Sequence, residues 1–426
     1  MYYYWSRSVK GDICILIILK EDIMDSGNTA WMLMASALVF LMTPGLALFY
    51  GGLVRVKNLV STIMYSFVAI AVVSIVWVLW GYSLAFGEGN QWVGDLSHIA
   101  LRGIAYAPSA GDAYPAQIDV VFQMMFAIIT PALITGAFVE RFKFTTYLVF
   151  LVLWVTFVYA PITHWVWGGG WIGNLGALDF AGGTVIHINA GVAAVVAAFL
   201  VGKRRNPGVQ SNNVPYVVIG ASLLWFGWFG FNAGSALAAD HVAVSAFLVT
   251  NTAAAMSAIT WGIISQIRTG KMGAVGLASG AVAGLVAITP AAGAVGVLGA
   301  IAIGFGAGLI CFFAVELIHS TGLDDALDVF ALHGIGGIWG ALATGIFTVS
   351  EYAGVSGLIE GDVNQLIIQA QSVLGTMLYS GIVTFIILFV LDKIPGLGLR
   401  VSESEEDQGL DVSSHGEIAM VDDGAD

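Results

Sequence analysis

TVIHINAGVAA at 184-194 and VFALHGIGGIWG at 329-340 are the two stretches that decide the fold. Each sets one histidine, His187 or His333, inside an apolar run long enough to cross a bilayer. A spanning helix needs about 20 apolar residues for a hydrocarbon core of about 30 Å. An ionisable side chain at its centre costs about 2.5 to 3.5 kcal/mol on insertion scales, so each histidine asks for a reason. Taken singly, either could be a satisfied packing histidine. Their settings match, however: Asp179 lies eight residues before His187, Asp325 lies eight before His333, and small residues follow both. The match marks an internal repeat.

Outward from these stretches the chain keeps the same character. It is 58% hydrophobic and only 10% charged, with a mean hydropathy of +0.88, which excludes a soluble chain of ordinary composition. Alternating strand-sized segments are missing, so an outer-membrane barrel is excluded as well. Apolar runs at 29-50, 59-86, 119-139, 145-164, 184-202, 214-238, 244-267, 273-288, 297-319, 329-349 and 366-391 predict an all-α integral membrane protein with eleven transmembrane helices. Spans one to five and six to ten form two halves. Because five is odd, the second half enters from the opposite side, giving two inverted five-helix repeats plus an eleventh helix. The two histidines then meet near the in-plane axis. Burial favours neutral rings, one passing an N–H to the other while the remaining nitrogens face a polar solute. No Asp, Glu or Cys stands beside them in the spans, so metal binding is a weak rival, and no cofactor is expected. Cys14 and Cys311 suggest neither a disulfide framework nor a zinc site.

The formal charge of -13 is concentrated at one end: residues 395-426 hold nine acidic residues and one basic, Arg400. An acidic tail does not bind nucleic acid. Arg55, Lys57, Arg141, Lys143, Lys203, Arg204, Arg205, Arg268, Lys271, Lys393 and Arg400 fall on one side of the spans, and only Arg102 on the other. This bias predicts a multi-pass protein of the cell membrane, its first span entering from outside and its C-terminus cytoplasmic. Residues 1-23 do not fit the scheme. Their apolar run, Ile13 to Leu19, is too short to span, and no small-residue cleavage site follows it, so 1-23 reads as a non-native extension or unstructured leader. Met24 is the expected start, with Asp25, Ser26 and Asn28 as helix-capping candidates. The membrane domain is then 24-394, and 395-426 is a separate tail. Glycines at four-residue spacing, such as Gly304 and Gly308, predict close helix packing.

Aromatic residues supply a further clue. Trp167 lies in THWVWGGGW, Phe126 in FQMMFAIITPALITGAF, and Phe231 in GWFGFNAGS. Most aromatics at span ends are interface anchors. Trp167 sits in a run too crowded for that alone, and a cation over an indole face gains up to about 2 kcal/mol when desolvated.

These runs resemble the ammonium transporter (Amt/Mep/Rh) family over nearly the whole chain after Met24. The most specific is GALDFAGGTVIHINAG at 176-191, supported by MTPGLALFYGGLVRVKN at 42-58, WFGFNAGSA at 228-236 and DDALDVFALHGIGGIWG at 324-340. The resemblance implies an outer ammonium site of Trp167, Phe126 and Ser235, with Phe126 and Phe231 as a stacked gate beneath it. It implies that His187 and His333 are twin pore histidines and that Trp228 lines the pore, with packing as the plainer role. Asp179 matches a buried aspartate that either orients carbonyls toward a cation or merely caps the turn. The other histidines, His98, His164, His241, His319 and His415, receive no pore role. The tail GLRVSESEEDQGLDVSSHGE at 398-417 resembles the bacterial and archaeal Amt branch, where a PII-type signal protein docks; Gly409, Asp411, His415, Gly416 and Glu417 are its candidate regulatory residues. By composition alone the tail reads as solvated and mobile.

The resemblance thus implies a homotrimer embedded in lipid, each subunit passing ammonium or ammonia, with methylammonium as an analogue. Deprotonation is expected near the gate, because an apolar pore cannot hydrate an ion. An ammonium sensor signalling through a PII-type partner is the main alternative. A symporter would need paired carboxylates or broken helices at mid-membrane, and an enzyme would need a nucleophile or a metal set; neither is found.

Overall fold

The computed structural model describes residues 24-106, 114-208 and 211-420, so the expected leader at 1-23 lies outside the described residues. Every predicted apolar run falls on a helix: α1 Ser26–Gly51, α2 Val56–Phe86, α3 Ala116–Ala137, α4 Phe144–Asn174, α5 Gly183–Val201, α6 Val214–Ala233, α7 His241–Thr269, α8 Ala274–Ile288, α9 Val297–Thr321, α10 Phe330–Phe347 and α11 Val363–Lys393. Among the described residues ten are long and apolar enough to cross a membrane, whereas α8 has only 15 helical residues and continues as turns to Ala294. Among the described residues there is no strand, only two isolated bridges.

Polar side chains start several helices, Asp25 at the place predicted for the first. The Asp25 carboxylate accepts from Asn28 N at 2.7 Å, and Asp240, Asp362 and Asn213 cap α7, α11 and α6 in the same manner. Small residues then let the helices close up. A Cβ added at Gly304 would lie 2.4 Å from the Ala253 carbonyl and one at Gly308 2.6 Å from that of Ser257, so α9 meets α7 backbone to backbone. The α3 helix is buried along nearly its whole length, while α7, α9 and α11 turn Phe247, Ile263, Leu298, Leu374, Leu378 and Phe385 outward, as an apolar solvent permits.

Five spans contain π-helical turns, at Trp77–Gly81, Val155–Tyr159, Gly183–Ile188, Phe229–Ala233 and Phe330–Ile335. Such turns carry an extra residue and re-aim side chains, often at functional sites. Here the last three hold His187, Phe231 and His333.

On the face carrying the basic loops, buried ion pairs tie the loops together. Glu140 receives Arg55 and Arg204, and Asp324 receives Arg204 at 2.7 Å and lies 3.9 Å from Arg141. The tail closes over this face instead of standing free. Its short helix α12, Glu403–Gln408, presents the Glu406 carboxylate to Arg205 N and Arg400, both at 2.7 Å. Asp411 is buried and caps α2, accepting from Val60 N at 3.0 Å and Ser61 N at 2.8 Å. The solvated tail expected from composition is therefore corrected for residues up to Glu417, because its carboxylates meet unpaired helix-start amides and loop arginines.

Candidate functional site

The expected residues converge on one column through the helix bundle. At its mouth on the face opposite the basic loops stands Trp167, half-buried, whose indole N–H donates to the Asp179 carbonyl at 2.9 Å. The Asp179 carboxylate in turn accepts from Gly182 N at 3.2 Å, Thr184 N at 2.9 Å and Val185 N at 3.2 Å. It thus holds the turn that opens α5 and, through its own carbonyl, sets the indole. Burial pushes this carboxyl above its ordinary range, and the hydroxyl of Thr184 and the turn amides pull it back. Gly182 makes the turn possible: its φ is +107°, and a Cβ there would lie 1.8 Å from the Ile186 side chain. Ser235 is half-buried and donates to the Phe231 carbonyl at 2.8 Å, leaving its oxygen lone pairs free to accept.

Phe126 connects the mouth to the interior. Its ring centroid lies 6.1 Å from Trp167 and 4.6 Å from Phe231. The expected stacked gate is corrected in geometry: the two phenyl rings meet at 70°, edge to face, the arrangement their quadrupoles favour. Both are fully buried, so the column is shut here.

Below the phenyl pair come the histidines. Nδ1 of His187 lies 3.2 Å from Nδ1 of His333, with the rings nearly parallel at 20°. One Nδ1 therefore carries the proton and the other accepts it. The Nε2 of His187 is buried without a protein partner. His187 also stacks on Phe231 at 5.9 Å and on Trp228 at 5.4 Å, and Trp228 is fixed by its N–H to the Thr289 hydroxyl at 2.9 Å. The π turns at Gly183–Ile188 and Phe330–Ile335 bring the two rings together, and close backbone contact permits it: a Cβ on Gly191 would sit 2.2 Å from Gly334 N. Around the rings is a cavity of about 10 Å³ walled by Leu46, Ile129, Leu224 and Val282, room for about one water-sized molecule. No cluster of three metal-ligating side chains occurs among the described residues.

On the basic face lies a separate cavity of about 470 Å³, lined by Asp324, Asp325, Asp328, His319 and Trp261, which shares Phe49 with the histidine cavity. His319, given no pore role from sequence, stands in this wall with its Nε2 2.7 Å from Asp328. His164 is buried away from the column, its nitrogens facing the Ala85 and Asn90 carbonyls at 2.9 and 2.6 Å, as a brace for the opposite mouth. Gln365 and Gln369 were also missed: from α11 they bind Gly176 and Leu178, strapping the loop that carries Asp179. Their four-residue spacing on an apolar helix was the available signal.

The tail candidates sit apart, on the basic face. Gly409, with φ +102°, lies where a Cβ would approach the Lys57 carbonyl to 2.6 Å, and Leu410 N donates to Asn58 at 2.8 Å. His415 meets the Phe144 ring edge-on at 4.7 Å, Gly416 has φ +69°, and Glu417 is exposed.

An aromatic mouth, a closed phenyl pair and a narrow passage with two facing imidazoles suit a small solute that can meet ring faces and ring nitrogens in turn. Comparison with known proteins gives the same direction. The family model described as Ammonium Transporter Family matches residues 30–420. The curated ammonium transporter of Bacillus subtilis (strain 168) is 50% identical over 404 residues, covering 94% of this chain and all of the relative. The crystal structure of Saccharomyces cerevisiae Mep2 superposes with a TM-score of 0.86 at 39% identity, covering 95% of this chain and 93% of that one. A structure titled "Sensor Amt Protein" superposes at 0.84 with 32% identity, covering 91% of this chain and 98% of that one. The family model and the curated relative are named for ammonium transport and not for an enzymatic activity; with a match across nearly the whole described chain, this protein belongs to the ammonium transporter family.

Proposed function

We propose that this chain conducts ammonium nitrogen inward, recruiting the cation at Trp167, Phe126 and Ser235 and passing ammonia between His187 and His333. The observation that carries the reading is the unbroken column from Trp167 through the Phe126 and Phe231 pair to the two facing imidazoles. An ion would enter the passage stripped of water, with aromatic and aliphatic walls and two neutral imidazoles beside it, so the proton is given up to solvent water at the outer mouth, above the phenyl pair. Asp179 favours the cation by holding its carbonyl and the indole in place, and Trp228 keeps the His187 ring stacked and upright. The positive-inside bias orients the Trp167 mouth outward and the tail to the cytoplasm. All eleven helices cross in this reading, α8 through its non-helical continuation, as two inverted repeats; the paired π turns and paired aspartates support that layout. The apolar outer faces of α7, α9 and α11 suit lipid and a homotrimer.

The tail, 395-426, is the regulatory segment. Its Glu406 and Asp411 clamp the Arg205 loop and the start of α2, while Val412, Glu417 and Ile418 stay exposed for a PII-type partner. Deleting residues 403-426 should abolish PII inhibition and lower basal transport; a pull-down that survives truncation removes the docking role. A sensor function remains a second reading, favoured by the likeness to the sensor structure. Uptake into proteoliposomes, with current recorded in parallel, separates the two. Saturable flux supports transport, and binding without flux supports sensing.

A further inference from the structure

Between the short helical turn Trp171–Asn174 and the π turn that opens at Gly183, residues 177-182 have no regular structure. Their backbone amides and carbonyls need partners from elsewhere, because an apolar bundle offers no water in place of a helix. At Leu178 both partners come from one side chain. The Gln369 carboxamide of α11 accepts from Leu178 N at 2.7 Å and donates to the Leu178 carbonyl at 2.7 Å, as a neighbouring strand would. It also donates to the Ala341 carbonyl of α10 at 3.1 Å, and it is 1% exposed. Gln365, one turn earlier, donates to the Gly176 carbonyl at 3.1 Å and to the Gln369 carboxamide oxygen at 3.4 Å. Leu178 is the residue before Asp179, whose carbonyl fixes the Trp167 indole at 2.9 Å. The same helix touches the other side of Trp167: a Cβ on Gly375 would lie 2.7 Å from the Trp171 ring, and Tyr379 packs on Trp165 with centroids 4.5 Å apart. Both segments that define the Trp167 position, 165-171 and 176-179, are therefore seated on α11.

We propose that Gln369, backed by Gln365, is a positioning residue of the outer ammonium site, setting the affinity for the cation by holding Leu178 so that Asp179 keeps the indole in place. The proposal rests on the transport reading above. Two observations favour it over simple helix packing. A carboxamide at this depth is costly to bury, and a leucine would pack α11 without that cost; only the need to pair both backbone groups of Leu178 calls for an acceptor and a donor on one side chain. The inner turn meets the same need with a different group: the carbonyl of Asp324, the residue before Asp325, accepts from the Arg141 guanidinium at 2.7 Å. At the outer mouth the clamp is uncharged. A guanidinium there would repel an arriving cation, whereas a carboxamide gives the carbonyl its donor and adds no charge.

The test measures the concentration dependence of ammonium uptake in vesicles from cells expressing the full chain and no other ammonium transporter. Gln369→Met, similar in shape and without hydrogen-bonding groups of that strength, should raise the half-saturating concentration about fivefold and leave the maximal flux per folded molecule within about twofold. The rise falls short of that for Trp167→Leu because the indole is still present. A residue that only packs would lower the yield of folded protein or the maximal flux and leave the concentration dependence where it was. A double variant separates these roles again: acting through the indole, Gln369→Met should add less than about twofold to Trp167→Leu. An unmoved value in the single variant, or a full fivefold step in the Trp167→Leu background, overturns the proposal. Wild-type vesicles without saturable flux would sink the transport reading itself, whereas saturable wild-type flux with an unmoved Gln369→Met value sinks only the positioning role. Should Gln369→Met fail to fold, Gln365→Met carries the same test, with about a threefold rise expected and its absence overturning the proposal.

Discussion

The outer turn, 179-188, and the inner turn, 325-335, have the same order of residues and the same π-helical backbone at the histidine, yet their carboxylates do opposite work. In the outer turn three amides surround Asp179, and its carbonyl holds Trp167. In the inner turn Asp325 accepts from Phe330 N through Oδ2 alone, while its Oδ1 is buried without a partner. A repeat in sequence fixes where a carboxylate sits along the helix; neighbours decide whether it braces the turn or is left half-paired.

The largest expected effect tests that contrast. Asp179→Ala leaves three turn amides unmatched, at about 1 to 3 kcal/mol each, and should destabilise the protein by more than about 3 kcal/mol with loss of transport. Asp325→Ala removes one amide bond along with a poorly solvated carboxyl, so it should change stability by less than about 1 kcal/mol. Thermal unfolding in detergent reads both, and equal melting shifts would erase the distinction. Next comes the contact between the two turns. Gly191→Ala drives a methyl into the Gly334 backbone and should cost about 1 to 3 kcal/mol while separating the imidazoles, abolishing flux. Gly334→Ala meets the rotatable Phe330 ring instead and should be milder.

A smaller effect concerns recruitment. Trp167→Leu, and to a lesser degree Phe126→Leu, should raise the outer half-saturating ammonium concentration about tenfold with folding intact, the size expected of a desolvated cation over an indole. Unchanged concentration dependence in both variants would assign these rings to packing. A separate test of the inner turn is its pH trend. Burial, with the Asp328 charge beside it, pushes the Asp325 carboxyl from 3.8 to about 7, against the pull of the amides and Arg141. A raised value means that this group favours folding most when protonated, below about pH 4, and that the contribution is lost as pH climbs through about 7. The melting temperature of the wild type, measured against Asp325→Asn, should therefore decline from about pH 4 to about pH 8. An increase over that range would mean that the charged form is the stabilised one.

The spans were legible because lipid leaves the backbone no partner but itself, so an apolar run of sufficient length has to be helical. Run boundaries at 59-86 and 244-267 fall within a few residues of Val56–Phe86 and His241–Thr269. Run 273-288 was harder, since its helix stops at Ile288 and turns continue, a change that hydropathy does not register. The pairing of His187 with His333 was also readable, from the equal spacing to Asp179 and Asp325. The mobile tail was misread because composition counts charges without their partners: Leu410 binds Asn58 and Asp411 binds Ser61, each some 350 positions away in the chain.

What the sequence alone determined is therefore the set of membrane-length helices, the basic and apolar faces, and the residues that an ionisable group at mid-membrane makes conspicuous. All of these follow from transfer free energies and helical period, which act over a few turns of chain. The tertiary structure decided the rest: the π turns that aim His187, Phe231 and His333 into one column, the edge-on phenyl pair, the closed tail, and the different fates of Asp179 and Asp325. Those depend on which amide, carbonyl or void stands within about 3 Å of a given atom, and packing between distant segments alone supplies it.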